Sequence, residues 1–80
     1  MITNKVAVVT GGGGVLCKAM AKALAKAKAK VAILDLNKEA AEKAAEEIKA
    51  DNGTAIAIET DVLKIESLQN AKKIINKQFF

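Results

Sequence analysis

The stretch VAVVTGGGGVLCKAM, residues 6–20, decides how the rest of the chain is read. The run Lys5 to Thr10 is short, apolar and rich in β-branched residues, with none of the polar alternation of a half-exposed strand. It reads as a parallel strand buried on both faces. Gly11 to Gly14 follow at once, and an amphipathic pattern begins at Gly14. A chain that leaves a parallel strand and opens a helix within a few residues needs backbone that tolerates positive φ, which glycine supplies. The helix expected over residues 14–29 carries Leu16, Met20, Ala23, Leu24 and Ala27 at spacings of three and four. Lys18, Lys22 and Lys26 form a second stripe.

The same alternation repeats downstream. Val31 to Leu36 is a second apolar run, and Asn37 offers an N-cap to a helix whose apolar face is Ala40, Ala41, Ala44, Ala45 and Ile48. Glu39 and Lys43 stand four apart with the acid first, a favourable surface pair. Asp51-Asn52-Gly53 ends that helix, with Asn52 or Gly53 suited to the left-handed conformation. Thr54 to Glu59 reads as a third strand. A third helix is expected from Leu63 to about Lys77, with Ile65, Leu68, Ala71 and Ile75 on one face. The order β-α-β-α-β-α is α/β architecture. Right-handed crossovers place the parallel strands in the order 3-2-1, with the first two helices on one face and the third on the other. This is half of a Rossmann-type doubly wound fold. With no linker or low-complexity segment, residues 1–80 read as a single domain.

Composition sets limits on function. A chain of 80 residues buries a modest core, here of Ala, Val, Ile and Leu, without Trp, Tyr or Pro. All 13 basic residues are Lys, and a formal charge of +4 spread along the chain does not require a nucleic-acid partner. The lysine stripe has no interleaved aromatics and no Arg, which favours a solvated helix face over an RNA or DNA surface. One cysteine, Cys17, allows no intramolecular disulfide, and no metal site is expected. The N-terminal MITNKV lacks a signal-peptide pattern, and no segment approaches a membrane span, so a cytoplasmic protein is expected.

The glycine turn opens a helix whose first N–H groups are unpaired and carry the positive end of its dipole, a geometry suited to phosphate. Without a Cβ in the way, a pyrophosphate can approach the backbone, and the Lys-Ser/Thr pair of a P-loop is absent. Asp35 ends the second strand, 24 positions after Gly11. Its carboxylate can accept hydrogen bonds from both hydroxyls of an adenosine ribose and would repel a 2′-phosphate. NAD is therefore expected over NADP, with Lys38 the nearest cation in sequence. The plainer role for Asp35 is to open the helix beside Asn37. Asp61-Val62, after the third strand, is a further candidate for the adenine amino group, or for orphan N–H groups at the third helix.

The segment KVAVVTGGGGVLCKAMAKALAKAKAKVAILDLN, followed by AIAIETDV, resembles the N-terminal half of a short-chain dehydrogenase/reductase. The Thr-Gly-Gly-Gly-Gly-Val-Leu-Cys run is most similar to mannonate or fructuronate oxidoreductase-like members. The resemblance implies a nicotinamide cofactor, with binding roles for Thr10, Gly11, Gly12, Gly13, Gly14, Val15 and Leu16, for Asp35 and Leu36 at the ribose and adenine, and for Asp61 and Val62 at the adenine. Departures accompany it: Val15 and Cys17 stand where the family usually has glycines, Lys28 where a helix-ending glycine is common, and Lys64 where many have a capping Asp. Cys17 reads as a small packing residue rather than a reactive thiol. The family's catalytic Ser and Tyr-x-x-x-Lys pair have no counterpart here, and with no Tyr in the chain no hydride transfer is expected from these 80 residues alone.

A second reading is a non-enzymatic half-Rossmann module whose main property is folding or self-association. Strand one would present an apolar edge, Val6 to Val9, with Lys5 as its nearest gatekeeper. Two copies are expected to pair there, with Phe79 and Phe80 helping to cover the seam.

Overall fold

The computed structural model describes residues 4–11 and 15–80, with Val15 and Leu16 as backbone only. Its elements are β1 (Val6–Thr10), α1 (Val15–Lys26), β2 (Lys30–Asp35), α2 (Lys38–Ala50), β3 (Thr54–Glu59) and α3 (Ile65–Phe79). The three strands form one parallel sheet in the order β1-β2-β3, with Val8 opposite Ala32 and Ala32 opposite Ile56. The expected half of a doubly wound sheet is present.

Period-two alternation divides the strands between two cores. Val9, Val31, Ile33 and Ala55 face α1 and α2, where Ala21, Ala25, Ala41, Ala44, Ala45 and Ile48 complete a buried cluster. Ala32, Leu34 and Ile58 face α3 and meet Ala71 and Ile75. The alanines let both helices of the first face approach the sheet closely, and Ile33, Ile48 and Val31 supply the largest buried volume there. Each such side chain contributes about 1.5–3 kcal/mol by leaving water. Cys17 is half-buried against the same cluster, the packing role read from the sequence.

Helix α1 corrects the sequence reading in two ways. It ends at Lys26 rather than near Ala29, because Lys28 takes φ of 76°. The Lys28 N–H donates to the Ala25 carbonyl at 3.0 Å and the Ala29 N–H to the Leu24 carbonyl at 3.1 Å, a complete Schellman motif. The buried face is also rotated from the one expected. Ala21 and Ala25 are buried, while Met20 is 54% exposed and Ala23 is exposed. In a helix so rich in alanine, spacing alone supports two adjacent stripes, and the one with the smaller side chains packs closer to the sheet.

Asn37 caps α2 as expected, its Oδ1 accepting from the Ala40 N–H at 3.1 Å. At the other end Asn52, φ 65°, is the left-handed residue of a second Schellman motif, in which the Gly53 N–H donates to the Ile48 carbonyl at 2.9 Å. Helix α3 starts at Ile65, two residues later than expected. The Leu63 N–H donates to Asp61 Oδ1 and the Lys64 N–H to the Asp61 carbonyl, so residues 61–64 form a turn instead of helix. Lys64 is the N-cap and supplies no side-chain cap, in keeping with the loss of an acid there. Leu63 and Ile65 are 91% and 73% exposed, so the buried part of the expected face is Ala71 and Ile75. Among the described residues no helix is long and apolar enough to cross a membrane.

Candidate functional site

At the C-terminal ends of the three strands a cleft of about 370 Å³ brings together Thr10, Gly11, Asp35, Leu36, Asp61 and Val62. Residues from three separate stretches of sequence meet there because each parallel strand delivers its C-terminal residue to the same edge. Gly12, Gly13 and Gly14 lie outside the described residues, as do the side chains of Val15 and Leu16.

Gly11 has φ of 65°, and a Cβ on it would meet nothing within 4 Å. Its glycine is thus required by the left-handed backbone and not by crowding. The Gly11 N–H donates to the Leu34 carbonyl at 2.6 Å, which ties the start of the turn to β2.

Asp35 is half-buried at the end of β2, and its Oδ1 accepts the Asn37 N–H at 2.9 Å. The plainer role, opening α2 beside Asn37, is therefore real, and the same carboxylate also lines the cleft. The two roles coexist because an Asx turn fixes the carboxyl group at the strand end. Leu36 is 68% exposed and Val62 is 48% exposed, giving the cleft apolar walls on either side of the acids.

Asp61 is likewise committed to its own turn, through Oδ1 and the Leu63 N–H at 3.0 Å. It does not cap α3 directly, because four residues of turn, from Asp61 to Lys64, precede Ile65. The structure adds three lining residues that the sequence reading did not name: Leu34, Thr60 and Leu63. Thr60 is buried, its N–H donates to the Asp35 carbonyl at 2.9 Å, and its hydroxyl donates to the Ile58 carbonyl. A hydroxyl between an apolar strand and an Asp is the signal that would have marked it.

Other features lie apart from this cleft. Lys18 and Lys22 both reach Glu47 on α2, at 3.1 and 2.7 Å, so part of the lysine stripe joins the two helices. Among the described residues no group of three His, Cys, Asp or Glu is placed to hold a metal ion.

The short chain dehydrogenase family model matches residues 5–79. The uncharacterized oxidoreductase UxuB of Bacillus subtilis is 49% identical over 78 residues, which cover 98% of this chain and 28% of that protein. A crystal structure of a putative D-mannonate oxidoreductase from Haemophilus influenza with bound NAD superposes with a TM-score of 0.95 at 46% identity, covering 98% of this chain and 28% of the other. A metagenomic short-chain oxidoreductase in complex with NADP gives a TM-score of 0.85 at 25% identity, over 94% of this chain and 34% of the other. The chain thus spans a little over a quarter of the length of the most similar of these proteins. The sheet order, the strand-end cleft and the match over nearly every residue agree: the chain belongs to the short-chain dehydrogenase family, as an N-terminal segment of it.

Proposed function

We propose that this chain is the adenosine-half NAD-binding segment of an oxidoreductase, forming a single domain over residues 1–80 of a cytoplasmic enzyme. The observation that carries this reading is the convergence of Asp35, Asp61 and the Gly11 turn on one cleft with apolar walls. A dinucleotide needs a hydrogen-bond acceptor for its ribose, apolar surface for its adenine and N–H groups for its phosphates; Asp35 suits the first, Leu36 and Val62 suit the second, and the glycine run of the sequence suits the third. Asp35 would hold the ribose hydroxyls, Leu36 and Val62 would flank the adenine, Asp61 would accept from its amino group, and the segment from Thr10 to Leu16 would bind the pyrophosphate.

Asp35 also supports NAD over NADP, since a carboxylate at the ribose repels a 2′-phosphate and the chain has no Arg to clamp one. When bound, the nicotinamide supplies hydride chemistry. This chain's residues bind and orient, and the cleft contains no Tyr or other phenolic acid. The mannonate-like relative supports a sugar acid as the substrate of the whole enzyme.

Titration of NAD, NADP and ADP-ribose, followed by amide NMR, tests the reading. Shifts at Gly11, Asp35 and Asp61, with NAD tighter than NADP, are expected. Asp35→Ala should weaken adenosine-containing ligands by roughly 1–3 kcal/mol, as loss of a charge-assisted bond does. A flat titration at millimolar ligand overturns the reading, as does a preference for NADP. The 80-residue chain should produce no NADH from NAD and any alcohol or sugar acid.

A second reading, self-association through the β1 edge, is favoured by one observation. Val8 is 51% exposed beside an apolar groove lined by Leu68, Ala71, Ile75 and Phe80.

A further inference from the structure

We infer that Ser67 is a positioning residue for the Asp61–Val62 wall of the cleft, a role that rests on the reading of the cleft as a nucleotide site. The Asp61 N–H donates to Ser67 Oγ at 2.8 Å, across six positions of sequence. Ser67 is half-buried, whereas its neighbours Glu66 and Leu68 are exposed. It occupies the third helical position of α3, from which a side chain leans back toward the helix N-terminus. The hydroxyl is thereby brought to the strand end.

The five residues from Thr60 to Lys64 belong to neither β3 nor α3, so no ladder holds them. Asp61 organises them instead: its carboxylate takes the Leu63 N–H and its carbonyl takes the Lys64 N–H, both at 3.0 Å. That turn carries Val62 and Leu63, which line the cleft. Among the described residues its last member, Lys64, joins α3 by accepting the Leu68 N–H at 3.2 Å, and two further bonds hold Thr60 and Asp61 to neighbouring elements. Thr60 N–H to the Asp35 carbonyl, at 2.9 Å, ties it to β2, and Asp61 N–H to Ser67 Oγ ties it to α3.

The first anchor is a backbone bond, independent of the Thr60 side chain. The second depends on one hydroxyl, and Lys64, the N-cap, supplies no side-chain cap in its place. Ser67 therefore controls how firmly the adenine-facing wall is held relative to Asp35. Removing the hydroxyl leaves the Asp61 N–H without its partner and loosens the turn, while the two cores on either face of the sheet are untouched.

The test compares wild type, Ser67→Ala and Ser67→Thr in the full 80-residue chain. ADP-ribose affinity is measured by NMR titration, together with amide hydrogen exchange at Asp61 and the thermal midpoint. Ser67→Ala should weaken ADP-ribose by about three- to tenfold, the range of one neutral hydrogen bond. It should also speed exchange at Asp61 selectively, and Ser67→Thr should restore both. If wild type binds and Ser67→Ala binds equally well, the inference fails while the nucleotide reading stands. If Ser67→Ala weakens binding only with a matching fall in thermal midpoint, or Ser67→Thr gives no rescue, the role is merely structural and the inference fails. If wild type does not bind ADP-ribose, both fail.

Discussion

Lys22 Nζ lies 2.7 Å from Glu47 Oε1, and Lys18 Nζ lies 3.1 Å from the other oxygen of the same carboxylate. One acid on α2 thus receives two lysines a helical turn apart on α1. The Lys22 and Lys18 hydrogen bonds, aided by their charges, bring the Glu47 carboxyl down from its ordinary 4.5 to about 2. All three side chains are about one-third exposed, so water and salt screen the bridge. It links α1 to α2 at the protein surface.

The depressed acid gives stability a defined pH dependence. A carboxyl whose folded pKa is lowered contributes fully above its unfolded value and loses that contribution as pH falls through the folded one. The Glu47 contribution should therefore be complete above about pH 4.5 and disappear progressively toward pH 2. Urea melts of wild type and Glu47→Gln over this range should differ near neutral pH and converge at the acid end. Added salt should narrow the difference. Parallel curves at every pH would show that the bridge contributes nothing.

Lys28 is a β-carbon-bearing residue held at φ of 76° as the left-handed member of the α1 Schellman motif. That conformation costs such a residue about 1–2 kcal/mol, and glycine avoids it at some expense in unfolded-state entropy. Lys28→Gly should raise stability by about 0.5–1 kcal/mol, read as an increased urea midpoint at unchanged slope. Lys28→Ala, which keeps the Cβ, should give no such gain. Equal midpoints for both substitutions would refute the strain argument.

The alternation of strand and helix was legible in the sequence because apolar runs and caps are local signals. Asn37 at 3.1 Å from the Ala40 N–H and the left-handed Asn52 are both short-range chemistry. The buried face of α1 was not legible, since Met20 and Ala21 both belong to plausible stripes and only contact with the sheet selects between them. The late start of α3 escaped for a related reason: Asp61 engages Leu63 and Ser67 through a turn that competes with helix. At the site, Asp35 and Asp61 could be named from strand-end position alone. Ser67 could not, because its significance lies in what it holds, the Asp61 N–H six positions away.

Gly53 tests how tightly α2 returns to the sheet. Its glycine answers to crowding, for a Cβ there would stand 2.6 Å from Ile48 Cγ2, 3.1 Å from the Ile48 carbonyl oxygen and 3.2 Å from Ala25 Cβ. Ile48 is buried in the larger core and has little room to move. Gly53→Ala should destabilise by about 1–3 kcal/mol, the usual cost of forced overpacking. Asn52→Gly, one residue earlier, should be nearly neutral because Asn already tolerates its left-handed backbone. A neutral Gly53→Ala variant in chemical denaturation would show that Ile48 can yield.

The open edge of β1 determines whether copies of the 80-residue chain pair. The Lys30 N–H donates to the Lys5 carbonyl at 2.8 Å and the Gly11 N–H to the Leu34 carbonyl at 2.6 Å. In a parallel ladder the bonding groups alternate along the strand, so Lys5, Ala7, Val9 and Gly11 address β2 while Val6, Val8 and Thr10 address the edge. Two copies related by a two-fold axis normal to the sheet through Val8 would set Val8 against Val8 and Val6 against Thr10, each a hydrogen-bonded antiparallel pair. The groove of about 400 Å³ beside Val6 and Val8, with Phe80 at its rim, would lie along that seam, while Phe79 already packs on the smaller core. Sedimentation at high micromolar concentration should then show a dimer. Val8→Pro removes an edge-facing donor and leaves the ladder to β2 intact, so it should give a monomer with unchanged circular dichroism. A monomeric wild type, or a Val8→Pro variant that still dimerises, would exclude pairing through this edge.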